Sequence, residues 1–140
     1  MLVVDPEKLE WKQEEGWRKA VIHEEKLGDT AVQMDMLEVP AGAQIAPHHH
    51  KKRREFHFVV YSGGARLQIG ERFFRPTAGQ VFECEPGDTM GVVNDTHHAL
   101  RLMVTKIGYD PKDLHPEPVQ KKAEISAAGS ALPEGNLRAD

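Results

Sequence analysis

Apolar and polar residues alternate in short runs along the middle of the chain, and turn residues separate the runs. Ala65, Leu67 and Ile69 alternate with Arg66 and Gln68, which predicts a strand with one buried face. Gly70 and Glu71 fit a tight hairpin, from which 72–75 returns. Val32, Met34 and Met36 alternate with Gln33, Asp35 and Leu37 in a strand over 31–38. Strand-like runs also cover 17–23, 55–61, 81–84, 90–93 and 99–107. Gly28–Asp29, Ser62–Gly63–Gly64, Pro86–Gly87–Asp88 and Asn94–Asp95–Thr96 supply turns between them. Many short, evenly spaced strands imply an all-β barrel or sandwich. Asp5, Pro6 and Glu7 predict a short N-terminal helix, with Asp5 as its cap. The chain turns polar after Tyr109, and 115–140 holds three prolines, which predicts a poorly ordered tail or one draped over a neighbour. The resulting division is an arm over 1–16, a barrel over 17–110 and a tail over 111–140.

Composition narrows the function classes. A chain of 140 residues with 39% hydrophobic and 29% charged residues reads as one globular domain. Its net charge of -4 is too mild to imply a nucleic-acid partner. Lys51, Lys52, Arg53 and Arg54 read as a solvated turn between strands. Cys84 is the only cysteine, so no internal disulfide is possible. Its neighbours Glu83 and Glu85 disfavour a reactive thiolate. The N-terminus lacks a signal-peptide pattern, and no run approaches the roughly 18 apolar residues of a membrane span. These features predict a soluble, cytoplasmic protein without a membrane partner.

Candidate chemistry concentrates at His48–His49–His50 and Glu55. In an extended segment residues 48 and 50 share a side, because strand side chains alternate with period two. His49 then points to solvent. Glu55 opens the next strand, and if that strand pairs with the first its carboxylate can approach the two imidazoles. Two histidines and one carboxylate make a three-ligand metal site with open positions, which suits Fe(II) and similar ions. His57 lies two residues beyond Glu55 and shares its face. It is a candidate ligand or catalytic base, and equally a satisfied core histidine. Arg66, Gln68 and Arg72 are read as surface-facing strand residues rather than an anion site.

The spacing Gly-x5-His-x-His-x4-Glu, from Gly42 to Glu55, resembles the first motif of the cupin superfamily. Gly63 stands one place later than the usual glycine. Gly79, Pro86, Gly87 and Asn94 fit the frame of the second motif, but Met90 holds the position of its histidine. The resemblance spans about residues 36–109. It implies a double-stranded β-helix, the cupin jelly-roll barrel. It also implies a divalent ion (Fe, Mn, Zn, Ni or Cu), usually held by three histidines and a glutamate. Met90 leaves three readings open. His48, His50 and Glu55 form a facial triad with Met90 as apolar wall; another histidine, best His57, compensates; or metal binding is lost. Relatives of this kind include isomerases, dioxygenases and proteins that only bind a ligand, so fold does not choose among them. The expected partner is a small polar metabolite. The leading expectation is a metal-dependent enzyme of isomerase or dioxygenase type, and the alternative is a non-catalytic binder with a degenerate metal site.

Unpaired sheet edges favour association. The segment 17–23 is a natural strand to add to a second copy, so a homodimer is expected. Static light scattering at micromolar concentration checks this: a dimer mass is expected, and a stable monomer removes the expectation.

Overall fold

Turn chemistry and alternation cut the chain into strands at nearly the places where its sequence marks them. In the computed structural model, which describes residues 1–117, Pro6–Lys8 forms a single 3-10 turn. Asp5 accepts the Glu7 N–H at 3.0 Å, so the cap is present although no longer helix follows. Eleven strands then run in chain order: β1 (Lys12–Gln13), β2 (Arg18–Leu27), β3 (Thr30–Val39), β4 (Gln44–His49), β5 (Arg54–Tyr61) and β6 (Arg66–Ile69), followed by β7 (Arg72–Phe74), β8 (Val81–Cys84), β9 (Met90–Val93), β10 (Leu100–Ile107) and β11 (His115–Pro116).

Two antiparallel sheets result, with orders β1-β2-β3-β10-β5-β8 and β11-β4-β9-β6-β7. Apart from the β6–β7 hairpin, the chain from β3 to β11 changes sheet at every connection. This is the double-stranded β-helix, and it holds two layers around one interior. No helix among the described residues is long and apolar enough to cross a membrane. All of the segment 17–23 except Trp17 belongs to β2, which pairs with β3 of its own chain along its length and with β1 at Arg18 and Lys19.

The interior changes character from one end to the other. Inward positions of β10 run Leu100, Leu102, Val104 and then Lys106. Inward positions of β3 run Val39, Leu37 and then Asp35 and Gln33, which face the same β10 residues. The period-two pattern of 31–38 therefore has its polar members inside, and Met34 and Met36 on the outer face. Those of β5 run Val59, His57 and Glu55. Val39, Ile45, Val59, Leu67, Val92, Leu100 and Leu102 fill the apolar end. Each such side chain contributes about 1.5–3 kcal/mol on burial. That end stabilises the barrel enough to tolerate ionisable groups at the other.

Two motif residues fix loops rather than chemistry. Gly63 has φ +60°, and a Cβ there would stand 2.7 Å from the Cβ of His98. Asn94 is buried; its amide donates to the carbonyls of Val39 at 2.9 Å and His98 at 2.8 Å. Its oxygen accepts the Thr96 N–H at 3.1 Å and the Thr96 hydroxyl at 2.7 Å. Asn94→Ala strands several of these groups away from water. A loss of roughly 2–4 kcal/mol is expected in urea unfolding, with an unchanged denaturant slope.

Candidate functional site

The polar end of the interior opens into a cavity of about 640 Å³. His48, His50, Glu55, His57, Met90 and Lys106 all line it. The candidate ligands come from opposite sheets, since β4 pairs with β9 and β5 with β10 and β8. They face one another across the barrel rather than along one ladder.

A register shift in β4 decides which side the histidines take. Ile45 stands opposite Val92, but His48 stands opposite Met90, so three steps on β4 match two on β9. This bulge re-phases the strand and brings His48 onto the inward side with Ile45. His50 follows two residues later and is buried. His49 points the other way, yet it is not free in solvent as expected. Its ring stacks on His115 with centroids 5.2 Å apart, and its Nδ1 contacts the Glu117 carboxylate. The chain beyond Tyr109 thus stays with the barrel as far as Glu117, where β11 pairs with β4. The rest of the expected tail, 118–140, lies outside the described residues.

Glu55 and His57 stand on the inward face of β5, and both are buried. His57 Nε2 donates to Glu55 Oε1 at 2.9 Å. Its Nδ1 is buried and has no hydrogen-bond partner among the described residues. His50 Nε2 lies 3.5 Å from Glu55 Oε2. His48 and His50 rings meet edge to face with centroids 5.1 Å apart. Met90 is buried beside them and forms part of the apolar wall.

Arg53 departs from the expected solvated turn. Lys51 and Lys52 are exposed, but Arg53 is buried at 8% relative exposure and reaches into the site. Its Nε lies 2.7 Å from Glu55 Oε2, and its Nη2 donates to His50 Nε2 at 2.7 Å. Its guanidinium carbon sits 5.3 Å from the Tyr109 ring centre. The signal was present in the sequence: 53 is two residues before 55, so it shares the parity of Glu55 and His57. Lys106 and Asp35 were also missed. They form a buried ion pair of which Lys106 lines the cavity, with one Asp35 oxygen left without a partner among the described residues. Arg66, Gln68 and Arg72 do not line the cavity.

Burial lowers the His50 imidazole to about 4 and lowers His48 as well, so both are neutral near pH 7. Burial opposes the Glu55 charge, yet the His57 hydrogen bond and the Arg53 charge outweigh it and hold the carboxyl below its ordinary range. Burial, with the Glu55 and Asp88 charges, pushes the Cys84 thiol up to about 12, so it is an inert buried group. The donor set in this arrangement does not fit a divalent ion. Both Glu55 oxygens and His50 Nε2 are committed, and a guanidinium charge stands against them. Among the described residues no group of three or more His, Cys, Asp or Glu side chains is disposed to hold a metal.

With this geometry in view, the comparisons are clear on family. The cupin-domain family profile matches residues 35–106, and the chain belongs to that family. No curated protein matches the sequence. Solved structures similar to it include the polyketide cyclase RemF from Streptomyces resistomycificus, at 16% identity and TM-score 0.68, covering 96% of this chain and 99% of that one. KdgF from Halomonas sp. is 16% identical with TM-score 0.64, covering 76% and 93%. A predicted oxalate decarboxylase from Thermotoga maritima is 13% identical with TM-score 0.65, covering 77% and 100%. At such identities these likenesses show the fold alone.

The strap from 110 to 117 is tied to the site by Asp113. Its carboxylate accepts the Lys51 and Lys52 N–H groups, each at 2.9 Å, and its carbonyl accepts from His50 Nδ1. Burial opposes the carboxylate charge, but the two backbone donors hold its pKa down to about 2. A depressed carboxyl adds stability above its unfolded pKa, and that stability is lost as pH falls through the folded value. Asp113→Asn is expected to be less stable by about 1–3 kcal/mol at neutral pH. The gap should close between about pH 4, the unfolded value, and about pH 2. Paired chemical-denaturation curves across that range check it.

Proposed function

We propose that this cupin binds a small polar metabolite at the mouth of its barrel and moves a proton on it through the Glu55–His57 pair, in an isomerase-type reaction. The observation that carries this reading is the state of His57, which lines the cavity: its Nε2 is held by Glu55 and its buried Nδ1 has no partner among the described residues. A carboxylate on one ring nitrogen fixes the tautomer and leaves the other as a lone-pair acceptor, as a general base requires. Arg53 supplies a fixed positive charge next to it. The apolar wall at Met90, Leu37 and Val104 lowers the local dielectric and strengthens both effects. A homodimer remains part of this reading.

A second reading places a divalent ion on His48, His50 and Glu55, for isomerase or dioxygenase chemistry. The observation in its favour is that both imidazoles turn Nδ1 to backbone carbonyls, which leaves each Nε2 as a lone-pair donor. It requires Arg53 to leave Glu55 and His50.

Elemental analysis of the purified chain separates the two. Stoichiometric metal lost in His50→Ala supports the second. The first predicts a metal-free chain whose melting temperature rises with a compound from a panel of sugars and hydroxy acids after chelator treatment. His57→Asn should then keep that binding and lose about 10²–10⁴-fold in turnover. Binding with no turnover in the unaltered chain would leave a non-catalytic binder.

A further inference from the structure

We infer that the Arg53 guanidinium is a built-in cation that closes a latent divalent-metal site, and that removing it opens the site to an ion. His48 Nδ1 donates to the Ala46 carbonyl at 2.9 Å, and His50 Nδ1 donates to the Asp113 carbonyl. Each ring therefore carries its lone pair on Nε2. Imidazoles that ligate metals have their other nitrogen held in this way, by a carbonyl or carboxylate. The His50 lone pair and Glu55 Oε2 lie 3.5 Å apart, close enough to serve one cation. The cation they serve is Arg53, at 2.7 Å from each.

A guanidinium N–H and a metal ion need the same lone pairs, so the floor accepts one cation at a time. Arg53 has two advantages over a free ion. It is covalently tethered three residues from His50 and two from Glu55, which gives it a high effective concentration. It is also held against the Tyr109 ring. Met90, buried in the wall across from His48, offers no hard donor that would help a competing ion. The inference shares with the first functional reading a floor without an ion. Its test needs neither metabolite nor turnover, so the two fail separately.

The test uses the full chain without a polyhistidine tag, the variant Arg53→Met, which keeps the bulk of the stem, and Co²⁺ as probe. Binding is read by titration calorimetry and by visible absorption of the bound ion. The variant is expected to take up one equivalent at least about tenfold tighter than the unaltered chain, and adding His50→Ala should abolish that uptake. Equal affinity of the unaltered chain and the variant overturns the inference. So does a folded variant that binds no Co²⁺, or binding that survives His50→Ala. If Arg53→Met does not fold alone, it is refolded with and without Co²⁺. Native circular dichroism recovered only with the ion supports the inference, and no recovery in either condition overturns it.

Discussion

The ionised carboxylate of Glu55, buried between two sheets, is the group around which the rest of the site is arranged. A lone buried charge is costly enough that it either neutralises or acquires partners. Here it has partners on both oxygens: His57 on one, Arg53 on the other. Arg53 in turn reaches His50, and His50 reaches the Asp113 carbonyl on the strap. Three chain segments, β5, the turn over 50–53 and the strap, are therefore tied to one carboxylate. The Lys106–Asp35 pair repeats the solution one layer away, with β10 and β3 as its supports. The apolar end of the barrel, from Val39 to Leu102, is what makes this concentration of charge tolerable.

Strand order makes the cluster possible. Because the chain changes sheet between β4 and β5, side chains close in sequence arrive from opposite walls. A hairpin within one sheet would have set His50 and Glu55 side by side on a single ladder. Instead the turn over 50–53 carries Arg53 across the gap, within reach of both. The β4 bulge completes the arrangement, since a regular register would have turned Pro47 inward opposite Met90 and left His48 outside.

Most of the barrel was legible in the sequence, because strand length, alternation and turn residues are local properties. The runs at 55–61, 81–84, 90–93 and 99–107 match strands within a residue. What stayed hidden was non-local. Alternation says which residues share a face but not which face turns inward, and in 31–38 the polar set with Leu37 is the inner one. The two-residue strands β1 and β11 exist only through their partners. Glu55 and the two histidines could be paired by motif, but the bulge that orients His48 leaves no mark in a single sequence. Arg53 was the avoidable miss. A run of four cations reads as solvated by composition, while parity with Glu55 and His57 assigns one of them to the interior. Parity is the stronger argument, because geometry binds each residue separately and composition describes only the run.

Met90 and Arg53 also make sense together. A histidine at 90 would place a third imidazole opposite His48 and enlarge the set of lone pairs able to compete for a divalent ion. The thioether instead adds apolar surface and no hard donor. With that donor gone, a single positive charge on a tether is enough to balance Glu55, and a guanidinium meets the need with fixed geometry and no exchange with solvent. Met90 lies on β9 and Arg53 in the turn before β5, far apart in sequence, yet they act on the same charge balance. A floor balanced in this way has a polarity set by the chain itself, independent of which ions are available around it. Any chemistry assigned to this pocket has to begin from that internal balance, with His57 Nδ1 among the buried polar atoms to which no described residue hydrogen-bonds.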